Sequence, residues 1–553
     1  MRALNDSEVK AIQSTLESIT SNREIVALAA YGSQVAGYAT KESDYDVVLV
    51  VKPFTQRIKY YYMKGETECS ALVVDPKSFE SDCKKSTLGE FVSGRLLNPY
   101  YPIAGEQYLR NNEIAFKKRV LLEGLSEAYA ENSEFSAEII FPLKYFLYEK
   151  LRKRAAIYPP VVYSYSRTYG ESLLKDNLEN SLMGFRDAAK ELMKEGLIDY
   201  DKEGDSISVP LNEFNAGLSA RIEAAASYTN KSLRQYAVHG YAGRVTLNVV
   251  GKEVISKISR SRKSGKLPDY ILNPKQTWTI SSGKLFAMSQ DWLSDMISYF
   301  EMEKTTCKVT SKSLGEFYNS AGFYTFESGD RAISVAVKRY QDVKGIKWGV
   351  LNLWSLKSAN FTTNPMERIF REYRTSRELK QFGLNTAEVL AVFLDQKMLV
   401  TSFIAGKDLS KLESEYLNDE SDDLSPFEMF GMELAKMHNN GYCMGDTKPS
   451  NVILCGENSK MYFTDLEQAL PDGNKTWDVA EFIYYSVRLT LKEDRVRRLV
   501  SSFLKGYISV AEDKSVVRKS ESFRYRAPFQ AFISPNIMNA LRNDLKNYAT
   551  SAS

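Results

Sequence analysis

Histidine is almost absent from this chain: its 553 residues include two, His239 and His438. Imidazole metal centres and Ser–His or Cys–His nucleophiles therefore have next to no material to be built from. Cysteine is sparse too. Cys69, Cys83, Cys307, Cys443 and Cys455 are scattered, odd in number and form no C-x-x-C. That speaks against zinc and against a disulfide framework, and for a reducing compartment. No apolar run reaches about 18 residues, the length a membrane span needs. The N-terminus, MRALNDSEVK, is polar. The expectation is a cytoplasmic chain with neither signal peptide nor membrane span. Excess charge is also missing. The net value is +3, so any polyanion-binding surface must be local.

What is present is apolar residue, 43% of the chain, enough for several cores in roughly three or four domains. The most informative stretch is 444–468, MGDTKPSNVILCGENSKMYFTDLEQ. Two short apolar runs, 452–454 and 461–463, bracket a polar turn, which is a β-hairpin pattern. Asp446 precedes the first run, Asn451 enters it, and Asp465 leaves the second. Such a hairpin holds the three side chains at one end. Phosphoryl transfer from ATP uses this set: one carboxylate orients the attacking hydroxyl, while an amide and a second carboxylate hold Mg²⁺ on the phosphates. Lys448 is placed to neutralise the γ-phosphate. D-x-K-P-x-N, then a strand, then T-D resembles the catalytic and metal-binding loops of the protein-kinase superfamily. The form is closer to the atypical RIO-type kinases and the small kinase of the KEOPS tRNA-modification complex. Met444-Gly445 stands where His-Arg is usual, and Asp465-Leu466-Glu467 replaces Asp-Phe-Gly.

The first 95 residues carry a second phosphate signature. An amphipathic helix over 5–19 leads to a buried strand, 25–30, and then to Gly32-Ser33. Gly32 lets backbone approach a phosphate, and Ser33 can donate to its oxygens at a following helix N-terminus. Asp44 and Asp46, two apart on a strand, point to one face. Two such carboxylates suit the sharing of two Mg²⁺ ions in nucleotidyl transfer. G-S-x-x-x-G with S-D-x-D, Gly32 standing twelve residues before Asp44, resembles the polymerase-β-type nucleotidyltransferases. The third carboxylate that this resemblance implies belongs near the start of a later strand, 69–74. Glu68 is the nearest acid, but Ser70 is an equal candidate for the place. With Ser70 there, metal binding weakens and the domain becomes a nucleotide or RNA-end binder.

Between these ends, Pro99-Tyr-Tyr-Pro102 reads as a breaker and a boundary. Helices are expected over 113–131 and 141–156. Residues 171–209 read as two helices followed by a two-stranded wing around DKEGD, which resembles a winged-helix module. Its second helix, SLMGFRDAAKELMKEG, would be the recognition helix. The mixed charges of that helix leave nucleic-acid contact and a packing role equally open. The strongest basic run is 254–266, with Lys257, Arg260, Arg262, Lys263 and Lys266. It reads as a solvated linker or as an RNA or polyphosphate contact. A helix is expected over 285–302.

In the last 240 or so residues the kinase resemblance implies further parts. Lys338 closes the β run A-V-K and matches the lysine that pairs with the ATP α/β-phosphates. A helix over 366–382 carries its carboxylate partner, with Glu372 preferred to Glu378. Strands over 386–394 and 397–405 lead to a hinge, where backbone at Ser402, Phe403 and Ile404 would read the adenine edge. The glycine-rich loop falls around 319–322, though no G-x-G-x-x-G occurs. Trp477-Asp478 resembles the acidic anchor of a catalytic loop, and His438 reads as a local packing residue.

The expected architecture is multidomain α/β and α+β. A nucleotidyltransferase fold spans 1–95, a helical and winged-helix connecting region 96–310, and a two-lobed kinase-like fold 311–553. The combination resembles archaeal proteins that fuse the two modules. It implies ATP (or another NTP) and Mg²⁺, with an RNA (a tRNA hydroxyl) or a protein Ser/Thr as acceptor. The rival readings are a nucleotidyltransferase with a regulatory kinase-like domain, and a nucleotide-binding scaffold without turnover.

Overall fold

The computed structural model describes the chain except for residues 133–134, 136–137, 210–265, 281–282, 286–288, 290, 315–318, 342–361, 363, 457–458, 489 and 551–553. All of the 254–266 basic run apart from Lys266 lies outside the described residues, as does 211–252. The chain forms two compact units, Met1–Ser281 and Ser282–Ser553.

Unit 1 is built on a five-stranded sheet of order β3-β4-β2-β1-β5. Its strands are β1 (Glu24–Tyr31), β2 (Tyr45–Lys52), β3 (Ile58–Lys64), β4 (Glu68–Val74) and β5 (Tyr100–Ala104). Helix α1 (Asp6–Thr20) starts at a capping box. Asn5 accepts from the Glu8 amide and Glu8 accepts from the Asn5 amide, both at 2.9 Å, which satisfies two donors that a helix start leaves open. Ile12, Leu16 and Ile19 on one face of α1 join Leu28, Ala30, Val47, Leu49 and Val73 in the core. The sheet takes its fifth strand from beyond residue 95. Pro102 sits in β5, an edge strand, where a missing N–H is tolerated.

After the short α2 (Ser33–Ala36) and α3 (Pro76–Lys85) come α4 (Glu106–Glu131), α5 (Leu143–Ile157), α6 (Val161–Thr168) and α7 (Leu174–Lys194). Helix α4 thus begins at Glu106, and Phe141 belongs to β6 (Ile139–Pro142). The wing forms as expected, β7 (Asp199–Asp201) against β8 (Ser206–Ser208). Instead of two helices within 171–196 there is one, α7. Gly184 does not break it, because it serves as a contact point. A Cβ there would lie 2.3 Å from Glu113 Oε1 on α4. The charges of α7 are spent inside the unit. Arg186 pairs with Asp205 at 2.8 Å and Lys190 with Asp187 at 2.8 Å. β6 also pairs with β9 (Thr279–Ile280).

Unit 2 carries β10 (Gly283–Leu285), β11 (Lys308–Leu314), β12 (Asn319–Ser328) and β13 (Arg331–Tyr340). Next come β14 (Asn385–Thr386), β15 (Val389–Phe393), β16 (Met398–Ser402), β17 (Gly406–Asp408) and β18 (Tyr442–Cys443). The last strands are β19 (Val452–Cys455), β20 (Met461–Phe463) and β21 (Leu470–Pro471). One sheet runs β11-β12-β13-β16-β15-β10, another β14-β20-β19-β17, and β18 pairs with β21. The expected glycine-rich loop at 319–322 is strand: β12 pairs along its length with β13, Ala321 facing Lys338. The expected 285–302 helix is shorter, α8 (Trp292–Tyr299), because Asp291 caps its start.

The second lobe packs α9 (Pro365–Gln381), α10 (Leu409–Leu417), α11 (Ser425–Asn439), α12 (Lys475–Ser486) and α13 (Glu493–Val510). Its core gathers Phe430, Phe463, Trp477, Phe482 and Phe503, all buried. Among the described residues no helix is long and apolar enough to cross a membrane.

Candidate active sites

In unit 1 the β1–α2 turn brings Gly32 against β2. Gly32 has φ 77°, and a Cβ there would stand 2.5 Å from Asp46 Oδ2. Only glycine admits that approach. Ser33 opens α2 directly after it. The antiparallel register sets Tyr31 opposite Asp46, and the parallel register with β4 sets Ser70 beside Asp46. Asp44 lies just before β2, and Ser70 Oγ donates to its Oδ2 at 2.5 Å. Glu68 is elsewhere. It pairs with Lys64 at 2.8 Å at the β3–β4 hairpin end and accepts from the Tyr62 hydroxyl. Of the two candidates for the third position, the register therefore puts Ser70 at the aspartates. Asp44 and Asp46 are hard oxygen donors suited to a divalent cation, with a neutral hydroxyl as their neighbour.

In unit 2, β13 delivers Lys338 and α9 delivers Glu372, 2.8 Å apart. Lys338 Nζ also reaches Glu467 Oε2 at 2.8 Å and donates to Asp465 Oδ1. Burial works against the ammonium charge, but Asp465 and Glu372 outweigh it and hold the Lys338 pKa well above the ordinary value. Tyr340 donates to Glu372. Arg368, one turn before Glu372 on α9, holds the other oxygen of Glu467 at 2.7 Å. Glu378 pairs with Arg374 at 2.9 Å and accepts from Tyr442, away from Lys338.

The β19–β20 hairpin works as its pattern suggests. Val452 faces Phe463, and the Thr464 amide donates to the Asn451 carbonyl at 2.9 Å. Asn451 and Asp465 thus stand at one end of the hairpin. Asn451 Nδ2 donates to the Asp446 carbonyl at 3.0 Å, which turns its amide oxygen the other way. Lys448 Nζ lies 2.7 Å from Asp446 Oδ1. Burial pushes Asp465 up to about 6 even with Lys338 beside it. Burial pushes Glu467 up as well, but Lys338 and Arg368 prevail and hold it at about 2. Glu372, Asp465 and Glu467 each bring an oxygen into one small cluster. All three acids meet Lys338 Nζ there, and Asp465 and the Asn451 amide, at the hairpin end, are oxygen donors of the kind Mg²⁺ takes.

The loop that carries Asp446 is fastened to α12. Asp478 accepts from the amides of Met444 (2.7 Å) and Gly445 (2.9 Å) and from His438 Nε2 (3.0 Å). Trp477 Nε1 donates to the Gly445 carbonyl at 3.1 Å, and Glu481 accepts the Thr447 amide at 2.8 Å. His438 also meets the Tyr507 hydroxyl at 2.7 Å. In the 402–404 strip the sheet takes up some of the backbone donors. The Ser402 amide donates to Glu388 (2.8 Å) and the Phe403 amide to Ser334 (3.3 Å). The sheet consumes both donors, which leaves Ile404 as the one amide of the three not so engaged among the described residues.

Sequence reasoning missed Arg368, Tyr340, Glu467 and Glu481. Only Glu467 had a signal, as the acid where a glycine is usual in Asp-Phe-Gly.

Comparison with known proteins follows this division. Residues 12–93 match the family model of the nucleotidyltransferase domain. The chain is also 29% identical over 152 residues, 27% of its length, to the KEOPS complex subunit Bud32 of Pyrococcus abyssi. It is 26% identical over 176 residues, 31% of its length, to a probable serine/threonine-protein kinase BUD32 homolog of Archaeoglobus fulgidus. These matches cover 66% and 83% of the two relatives' own lengths, so the first is spanned only in part. A nucleotidyltransferase domain and a region similar to Bud32-type kinases thus share one chain, and both are transferase classes.

Proposed function

We propose that unit 2 is an ATP- and Mg²⁺-dependent phosphotransferase acting on a hydroxyl of RNA or of a protein Ser/Thr. The observation that carries this reading is the 2.8 Å Lys338–Glu372 pair in reach of Asp465, with Asp446 and Asn451 at the same hairpin end. Asp446 takes the proton of the acceptor hydroxyl as its oxygen bonds to the γ-phosphorus and the bond to the leaving ADP breaks. Lys338 exchanges a carboxylate for the α/β-phosphates, and Glu372 keeps it aimed. Lys448 meets the γ-phosphate. Mg²⁺, held by Asn451 and Asp465, would neutralise charge on the phosphates. Ile404 offers its amide to the base. The relatives, a KEOPS complex subunit and a probable Ser/Thr-protein kinase homolog, support a kinase-type enzyme that works with protein partners.

A second reading rests on the 12–93 match: nucleotidyl transfer at Ser33, Asp44 and Asp46, with unit 2 regulatory. One experiment separates the two. The protein is incubated with total tRNA and ATP labelled at the γ- or the α-phosphate, and Asp446→Ala is compared with Asp44→Ala. The phosphotransferase reading expects γ-label on the acceptor, lost in Asp446→Ala. Label that persists in that variant sinks it. α-Label lost in Asp44→Ala establishes the second reading.

A further inference from the structure

Beside Asp446 lies an aromatic ring flanked by two cations, of which Arg488 has no part in the phosphate transfer described above. Tyr485, in the last turn of α12, and Arg488 just beyond it are both half-buried. The Arg488 guanidinium carbon stands 3.4 Å over the Tyr485 ring centre. Its Nη1 donates to the Tyr485 carbonyl at 2.6 Å. The guanidinium is thereby pinned flat. Lys448 Nζ stands 5.9 Å from the centre of the same ring and 2.7 Å from Asp446. Two cations therefore share one aromatic ring next to the carboxylate assigned to the acceptor.

Lys448 pairs with Asp446, which leaves Arg488 as the cation of the two to account for. Among the described residues Arg488 forms no ion pair. Two buried acids could neutralise the pair, Glu413 towards Arg488 and Glu481 towards Lys448. Burial pushes Glu413 up to about 8, so it favours the neutral form at pH 7, and burial with the neighbouring Asp446 raises Glu481 as well.

We propose that Tyr485 and Arg488 form the acceptor subsite of unit 2 and take one nucleotide unit of single-stranded RNA, with its hydroxyl towards Asp446. This rests on the phosphotransferase reading of the unit. A carboxylate-bearing peptide needs only the N–H fork of an arginine. A guanidinium held flat on a ring offers more, an in-plane fork for a phosphate and an outer face on which a base stacks. Such stacking tolerates any base.

The test uses the full chain, γ-labelled ATP, a short single-stranded RNA and an acidic Ser-containing peptide. Arg488→Ala and Tyr485→Leu should raise the KM for the RNA about tenfold, a single stacked base, with the smaller change in kcat. Arg488→Lys keeps charge without the plane and should fall between. The salt dependence of RNA binding, read by fluorescence anisotropy of the same RNA with a 5′-fluorescein, should lose about one phosphate contact in Arg488→Ala. Circular dichroism checks that each variant folds. An unchanged KM for RNA in Arg488→Ala overturns the subsite, as does a wild type that labels the peptide and not the RNA. A wild type that transfers γ-label to no acceptor overturns the phosphotransferase reading instead. The anisotropy then still decides the platform, and binding indifferent to Arg488 overturns it.

Discussion

Lys338 stands as close to Glu467 as to Glu372, 2.8 Å in each case. Glu467 is therefore part of the clamp and ties Lys338 to Arg368, which is 1% exposed. Removing it leaves a buried guanidinium without its carboxylate. Glu467→Ala should destabilise unit 2 by about 3 kcal/mol, the usual scale for breaking a buried pair. Glu467→Gln, which keeps a hydrogen-bond acceptor, should cost less. Urea unfolding midpoints check both, and equal midpoints for wild type and Glu467→Ala would refute the coupling.

Glu413 makes stability fall with rising pH. Burial lifts its pKa in the folded chain from 4.5 to about 8, so above 4.5 the unfolded chain gives up a proton that the folded one keeps. The contribution is whole below about 4.5 and is lost as pH rises through about 8. Glu413→Gln should flatten this slope and be the more stable protein near pH 8, by about 2 kcal/mol. Melting curves at both ends of that window give the answer, and parallel slopes in the two proteins would contradict it.

Ser70 is the neutral neighbour of Asp44 and Asp46. Ser70→Asp would place a third carboxylate beside Asp46 and within reach of Asp44. Without metal the added like charge should cost about 1 kcal/mol, and Mg²⁺ should reverse the loss. Thermal shift with and without Mg²⁺ measures both, and a variant whose Mg²⁺ response equals that of wild type would count against the placement.

The parts of the site that lay close together along the chain were legible. Asp446, Asn451 and Asp465 flank one hairpin, and a hairpin pattern states which ends meet. Gly32 and the two aspartates were legible from their spacing, whereas the third position stayed open between Glu68 and Ser70 until the β2–β4 register was in view. Arg368 and Tyr340 were not legible, because their value comes from partners far along the chain. That the Ser402 and Phe403 amides are taken was hidden for a related reason. A strand pattern does not say which neighbours will take its donors, and β16 is paired on both sides. The sequence suggests a break in 171–196 ahead of a second helix that starts at Ser181, where α7 runs through unbroken.

Asp478 has a consequence for motion. The amides of Met444 and Gly445 belong to a loop, yet both end on a carboxylate with no exposure at all. Amide hydrogen exchange there requires α12 to let go of the loop, which means opening the core around Trp477 and Phe482. These two loop protons should exchange as slowly as those of the central helices, and in Asp478→Ala they should exchange at the rate of an ordinary surface turn. The loop that carries Asp446 would then be among the last parts of unit 2 to unfold.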